Sequence, residues 1–141
     1  MRITGSHKQL SRRPRDIRLM DYNCGGYAFR TYSWLGFNFS HSYHNVRRQV
    51  KELLKAFPQW ELCEPPFDYK HYEYIAFRWG VRERGYIWSD FHFVRSWKNG
   101  TWHGKEGADE VVKIDDIFAP WVRSDGEIYD KKIYFFRKKR G

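Results

Sequence analysis

Residues 86–102 read Tyr86-Ile-Trp-Ser-Asp-Phe-His-Phe-Val-Arg-Ser-Trp-Lys-Asn-Gly-Thr-Trp102, which predicts two β-strands joined by a tight turn. Aromatic and β-branched residues favour strands, and Asn99-Gly100 favours a two-residue hairpin loop. That loop places His103 and Lys105 on the polar sheet face that carries His92, while aromatic side chains occupy the other face. A bulged three-residue loop would move His103 to the aromatic face instead.

The rest of the chain predicts two helices followed by further strands. Residues 21–36 combine capping residues, a helical stretch and a terminal Gly36. Residues 42–57 carry an apolar stripe at helical spacing, and Pro58 ends it. Further strands are predicted at residues 71–79, 110–114 and 128–137. Helices before strands predict an α+β fold, with N-terminal helices packed on an antiparallel β-sheet.

The length of 141 residues fits a single domain, and the charge divides it into three parts. Residues 1–20 carry six Lys or Arg and one Asp, and residues 131–141 carry six Lys or Arg and no acid, so the ends account for the net charge of +9. We expect an extended basic arm at 1–20, a domain at 21–137 and a basic tail at 138–141. Such ends could contact nucleic acid or an acidic host protein, or could simply aid solubility.

The composition also indicates the cellular compartment in which the protein is expected. The mean hydropathy of −0.83 and the lack of a long apolar run exclude a membrane span. The basic N-terminus lacks the apolar stretch of a secretory signal. The two cysteines, Cys24 and Cys63, are far apart and form no CxxC pair. These features favour a reducing compartment, and they predict neither a membrane partner nor a cysteine metal motif.

Cys24 is the candidate nucleophile. It follows Asp21 and Asn23, either of which can cap a helix, so its thiol lies at a predicted helix start. Unpaired N–H groups at a helix start lower the pKa of a thiol and favour the thiolate. Gly25 and Gly26 would let a substrate carbonyl approach the backbone amides that stabilise an oxyanion. The alternative is a buried, inert cysteine beside a glycine turn.

His92 is the candidate general base, because a histidine in the middle of an aromatic strand needs a polar partner. Asp90 lies on the same strand face and could satisfy it, which is the alternative to a catalytic role. His103 joins His92 on that face if the hairpin loop has two residues. Cys24, His92 and His103 could also bind zinc, but their spacing matches no recognised motif. We therefore expect neither a metal nor a cofactor.

Three segments together resemble a group of small papain-like cysteine hydrolases that occur mostly in phages and prophages. They are Asp21-Tyr-Asn-Cys-Gly-Gly-Tyr-Ala-Phe29, Asp90-Phe-His-Phe-Val-Arg95 and Asn99-Gly-Thr-Trp-His-Gly-Lys-Glu-Gly107. In that group an Asn-Cys helix start precedes Asp-x-His-aromatic-x-Arg and then Gly-x-Trp-Ser-His-Lys-x-Gly. The arrangement is similar to the NlpC-type bacterial cell-wall peptidases, with Cys on a helix, His on a strand and a polar residue on the next strand.

The resemblance implies a papain-like fold with Cys24 as nucleophile and His92 as general base. The chain departs from the group at Trp102-His-Gly-Lys105, where the group has Trp-Ser-His-Lys. Either His103 orients the base from one position earlier, or Gly104 marks the loss of the third catalytic residue. Asp90 and Lys105 are weaker candidates for supporting groups.

Two classes of function remain open. The first is a peptidase or amidase that cleaves a peptide, a cell-wall cross-link or an isopeptide bond on a host protein. The second is a catalytically inactive papain-like module that binds a host protein or nucleic acid through its basic ends, for example as an inhibitor of host defence. The resemblance and the composition favour the cytoplasm of a bacterial host for either. The loop at residues 58–69 and the N-terminal arm are the expected sources of specificity.

Overall fold

The computed structural model describes residues 2–38, 42–83 and 85–141. Two α-helices are present in these residues: α1, Cys24–Ala28, and α2, Val46–Ala56. The strands are β1 Ile3–Thr4, β2 Gly36–Phe37, β3 Glu61–Cys63, β4 Tyr72–Glu83, β5 Ile87–Ser96, β6 Trp102–Lys105, β7 Val111–Ile114, β8 Trp121–Val122, β9 Ile128–Tyr129 and β10 Tyr134–Lys139. This mixture of helix and antiparallel sheet agrees with the predicted α+β class.

A six-stranded antiparallel sheet forms the centre of the fold, in the order β3-β10-β4-β5-β6-β7. Its longest ladder joins β4 to β5, from Glu83 opposite Ile87 to Ile75 opposite Arg95. Two short antiparallel pairs, β1–β2 and β8–β9, lie outside this sheet. The segments at 71–79, 86–97 and 110–114 are strands, as predicted. The predicted strand at 128–137 is divided between β9 and β10.

Each face of the sheet is covered by its own apolar cluster. On one face, Phe91 and Phe93 of β5 pack with Val50 and Leu53 of α2 and with residues around α1. On the other face, Val94 belongs to a cluster with side chains that include Trp102, Trp121 and Tyr129. Successive side chains of a strand point to opposite faces, so β5 contributes to both layers. No helix in the described part of the chain is long and apolar enough to cross a membrane.

The helix predicted for residues 21–36 is much shorter than expected. Helix α1 ends at Ala28, and the chain then passes through Arg30 and Tyr32 with φ values of 56° and 49°. These left-handed conformations turn the backbone away from the helix axis. Gly36, the expected helix terminator, lies in β2 instead. The second predicted helix is confirmed: a 3-10 turn at Tyr43–Asn45 leads directly into α2.

The predicted two-residue hairpin loop between β5 and β6 is wrong. Ser96 pairs with Trp102 and Arg95 pairs with His103. The Trp97 N–H donates to the Thr101 carbonyl at 2.7 Å, which leaves a loop of three residues, 98–100. Gly100 closes this loop with φ 86°, a conformation that glycine adopts readily. The change of register moves His103 to the sheet face opposite His92.

The two basic ends are packed parts of the fold rather than separate arms. Ile3 is buried, and the Leu10 N–H donates to the Arg30 carbonyl at 2.8 Å. At the other end, β10 lies between β3 and β4 and extends to Lys139, inside the predicted tail. The Arg140 N–H then donates to the His71 carbonyl at 2.8 Å. Strand β10 thus crosses the boundary expected at residue 138, and the hydrogen bond of Leu10 links the segment before residue 20 to the domain.

Candidate active site

A cleft lies between the start of α1 and the middle of β5. Strand β6 pairs with β5 at Ser96–Trp102 and Arg95–His103 and continues along β7 as far as Lys105. Helix α1 packs against both β5 and β6. The cleft has a volume of about 250 Å³, and its lining includes Cys24, Asp90, His92, Gly107, Arg123 and Tyr129. It thus brings together the helix start, the central strand and the β8–β9 hairpin.

Asn23 fixes Cys24 at the edge of this cleft. Its Oδ1 accepts hydrogen bonds from the N–H groups of Gly26 and Leu35, both at 3.0 Å, and its Nδ2 donates to the Leu35 carbonyl at 2.6 Å. Asn23 is therefore the helix cap, while Asp21 accepts a bond from the Arg18 N–H. The same contacts pull the segment after α1 back onto the helix start, which explains why the helix is short.

The two glycines after Cys24 serve packing in this structure. A Cβ atom at Gly26 would lie 1.9 Å from the Ser33 carbonyl oxygen, and one at Gly25 would lie 3.0 Å from Cβ of Leu35. Both glycines thus allow the returning segment to lie directly on α1. This packing gives no support to the prediction that the two glycines admit a substrate carbonyl.

Cys24 is a buried thiol, with 6% of its surface exposed. Burial raises its pKa to about 12, although the backbone N–H of Phe93 acts in the opposite direction; the negative charge of Asp90 raises it further. The loss of hydration outweighs the favourable position at a helix start, since a thiolate needs more solvation than a thiol. In the free protein, Cys24 is therefore neutral at pH 7.

His92 lies in the middle of β5 with 4% of its surface exposed. Its ring stacks on Tyr129, with centroids 5.1 Å apart, and meets the edge of Trp121 at 6.0 Å. Burial lowers the pKa of His92 to about 4, the charge of Arg123 lowers it further, and Asp90 opposes this shift. His92 is therefore a neutral imidazole at pH 7, as a general base must be.

Tyr129 contacts both Asp90 and His92. The Tyr129 hydroxyl donates to Asp90 Oδ2 at 3.2 Å, and the same phenol ring stacks on the imidazole. Tyr129 is fully buried; burial and the charge of Asp90 both raise its pKa, so it keeps its proton. The sequence carries no signal for Tyr129, because β9 has two residues and reaches the site through a tertiary contact.

His103 does not reach the cleft. Its ring stacks on Trp97 with centroids 3.6 Å apart, and Trp97 Nε1 in turn donates to the Tyr27 hydroxyl at 3.3 Å. This contact lies on the helix side of the sheet, whereas His92 faces the β8–β9 hairpin. Cys24 and His92 both line the cleft, whereas His103 is not part of its lining. The three residues therefore do not form one zinc site, and the described residues contain no cluster of three His, Cys, Asp or Glu side chains suited to a metal.

Gly104 is the residue that faces the base. A Cβ atom at this position would lie 2.8 Å from His92 Nε2, 2.7 Å from Val94 Cγ1 and 3.1 Å from the Phe93 carbonyl. These separations are too short for any side chain without movement of the strand or the imidazole. The backbone of β6 thus occupies the place in which the resemblance puts an orienting side chain.

Lys105 supports one wall of the cleft from within the protein. It is fully buried, its Nζ donates to the Gly107 carbonyl at 2.6 Å, and it lies 4.6 Å above the Tyr22 ring. Burial lowers the pKa of Lys105, while the nearby Cys24 acts in the opposite direction. Lys105 therefore fixes the Gly107 carbonyl at the cleft wall.

Comparison of the chain with protein-family models, with curated proteins and with solved structures found no match. The geometry of the cleft is accordingly the basis for a functional assignment.

Proposed function

We propose that this protein is a papain-like cysteine hydrolase that cleaves an amide or thioester bond, with Cys24 as nucleophile and His92 as general base. The observation that carries the proposal is their common cleft, where a thiol at a helix start and an imidazole on the central strand line one cavity. A thiol and a neutral base that line one cavity are the minimum set of groups for covalent catalysis by cysteine. The likeness to phage papain-like proteins agrees with this order of helix and strand.

The proposed reaction begins with both groups neutral. As Cys24 Sγ attacks the substrate carbonyl carbon, His92 takes the thiol proton, and it returns this proton to the departing amine or thiol. The product of this half-reaction is an acyl thioester on Cys24. Water then attacks the thioester with His92 again accepting a proton, and the acid and the free thiol are released. Suitable substrates are a peptide, a cell-wall cross-link or an isopeptide on a protein of the bacterial host.

The buried setting of the pair suits a mechanism that substrate binding initiates. A thiolate and an imidazolium are both disfavoured in the free protein, because burial opposes charge on either group. Proton transfer coupled to the attack avoids forming both charges before the carbonyl is in place. Tyr129 and Asp90 would hold the imidazole orientation that an additional catalytic side chain provides in the resembling group.

Acylation of Cys24 by p-nitrophenyl acetate tests this function. In a Cys63→Ser background, we expect release of nitrophenolate together with an acetyl group on Cys24, located by peptide mass spectrometry. His92→Gln should slow this acylation by about 100-fold or more, the usual contribution of a general base. The Cys24→Ser chain that retains Cys63 is the matched control, because acetylation of Cys63 should not depend on His92. Equal acylation of Cys24 with and without His92 would contradict the proposal.

A second candidate function is a binding module of the same fold without turnover. The observation that favours it is the close packing of Gly104 against His92, which leaves no room for an orienting side chain at position 104. Exposed basic residues of the N-terminal segment, Arg12, Arg13 and Arg15, would then contact single-stranded nucleic acid or an acidic host protein. Their combined replacement by Gln should weaken salt-sensitive binding to poly(dT). Because the ends are packed into the fold, charge replacement is a cleaner test than deletion.

A further inference from the structure

Arg123 is a cation in the cleft whose hydrogen-bonding capacity the protein uses weakly. It follows β8, and its guanidinium lines the same cavity as Cys24 and His92. Its Nη1 lies 3.4 Å from the Tyr129 hydroxyl, and its Nη2 lies 3.7 Å from a carboxylate oxygen of Asp125. Both distances are long for hydrogen bonds of a guanidinium.

Two other arginines of the chain are paired more closely with carboxylates. Arg30 makes a two-pronged ion pair with Glu73, and Arg137 Nε donates to Glu61 at 2.6 Å. Arg123 Nε, by contrast, is buried and has no hydrogen-bond partner among the residues that the structure describes. A buried guanidinium N–H without a partner is costly unless a ligand supplies the acceptor.

The Nη2 end of this guanidinium lies close to the wall of the cleft. The side chain of Arg123 is 22% exposed, and its Nη2 lies 3.8 Å from the point that a Cβ atom of Gly107 would occupy. Gly107 is another residue of the cleft wall, held there by Lys105. A planar, two-pronged acceptor placed between this wall and Cys24 would therefore meet the guanidinium, and a carboxylate has that geometry.

We propose that Arg123 binds a carboxylate of the substrate beside the bond that Cys24 attacks, so that the hydrolase acts on acyl compounds that carry a free carboxylate near the scissile bond. Peptides with a C-terminal or side-chain carboxylate next to that bond belong to this class. The substrate class in this inference rests on the proposed function, whereas carboxylate binding by Arg123 does not depend on catalysis.

Paired alkylating reagents test the carboxylate site. Iodoacetate and iodoacetamide carry out the same reaction, in which the sulfur displaces iodide, but iodoacetate carries a carboxylate. In a Cys63→Ser background at low salt, we expect the ratio of iodoacetate to iodoacetamide rates at Cys24 to exceed that of 2-mercaptoethanol by about tenfold or more. Arg123→Gln should reduce the ratio to the 2-mercaptoethanol value, and Arg123→Lys should retain part of it.

Arg82→Gln is the matched control for charge. Arg82 is 25% exposed and pairs with Asp130 away from the cleft lining, so its replacement should leave the ratio unchanged. A Cys24 that reacts without preference for iodoacetate, or with a preference that survives Arg123→Gln, overturns this inference alone. A preference that depends on Arg123, together with acylation that does not depend on His92, supports the carboxylate site and overturns the hydrolase. A Cys24 that neither reagent reaches overturns both.

Discussion

At the scale of single residues, burial determines the protonation of the site. Helix caps and backbone N–H groups favour a thiolate at Cys24, but the loss of hydration is larger and keeps the proton on sulfur. The same loss keeps His92 neutral. The resulting thiol and imidazole pair stores no charge in the free protein. It differs from a preformed thiolate–imidazolium pair, because the proton moves from Cys24 to His92 only when a substrate is bound.

The surroundings of His92 are most sensitive to added side-chain volume at Gly104. Gly104→Ala would place a methyl group 2.8 Å from His92 Nε2 and 2.7 Å from Val94 Cγ1, so the imidazole or the strand must move. We expect acylation of Cys24 to fall by at least about tenfold and the free energy of unfolding to fall by about 1–3 kcal/mol. Nitrophenolate release and urea unfolding measure the two effects. An unchanged acylation rate would show that the packing of β6 against the His92 ring does not affect its function as a base.

At the scale of elements, strand β1 has a structural role that the basic charge of residues 1–20 does not predict. Strand β1 pairs with β2, and Ile3 packs in the same apolar cluster as Cys24 and Leu35. Gln9 Oε1 accepts a bond from Trp60 Nε1 at 3.0 Å, which ties the following segment to the end of α2. The N-terminal segment therefore supports the helix start that carries the nucleophile.

Replacement of Ile3 tests this role. Because Ile3 is 3% exposed, Ile3→Ala should reduce the free energy of unfolding by about 2 kcal/mol or more through loss of apolar burial and the cavity that remains. The control is Arg13→Ala in the same segment, which is exposed and should change stability by less than about 0.5 kcal/mol. Urea unfolding followed by tryptophan fluorescence measures both. Equal stability of the two variants would indicate a solvated arm, as the charge pattern alone suggests.

At the scale of the whole molecule, local patterns predicted the elements better than their arrangement. The apolar stripe of α2 and the aromatic runs of β4 and β5 are strong signals, since each covers two or more turns or several alternations. The hairpin signal at Asn99-Gly100 located the turn but missed its extra residue. That single residue moved His103 from the predicted site to the opposite face.

The candidate site was predictable where its residues lie on strong elements. Cys24 and His92 lie on a helix start and a central strand, and the structure brings both to one cleft. Arg123 and Tyr129 come from the β8–β9 hairpin, whose two strands have two residues each and no readable period. The neutral state of Cys24 was also beyond local reasoning, because burial depends on contacts with segments distant in the chain.

The pH dependence of Cys24 acylation by p-nitrophenyl acetate shows whether His92 is the base, when it is measured in Cys63→Ser chains with His92 and with His92→Gln. With His92 as base, the rate should be nearly constant between about pH 5 and pH 8 and fall as the pH approaches the His92 pKa of about 4, where protonation removes the acceptor. In His92→Gln the rate should follow the thiolate fraction of Cys24 alone and rise about tenfold per pH unit. If both chains show that same steep rise, His92 is not the base and the proposed hydrolase mechanism is wrong.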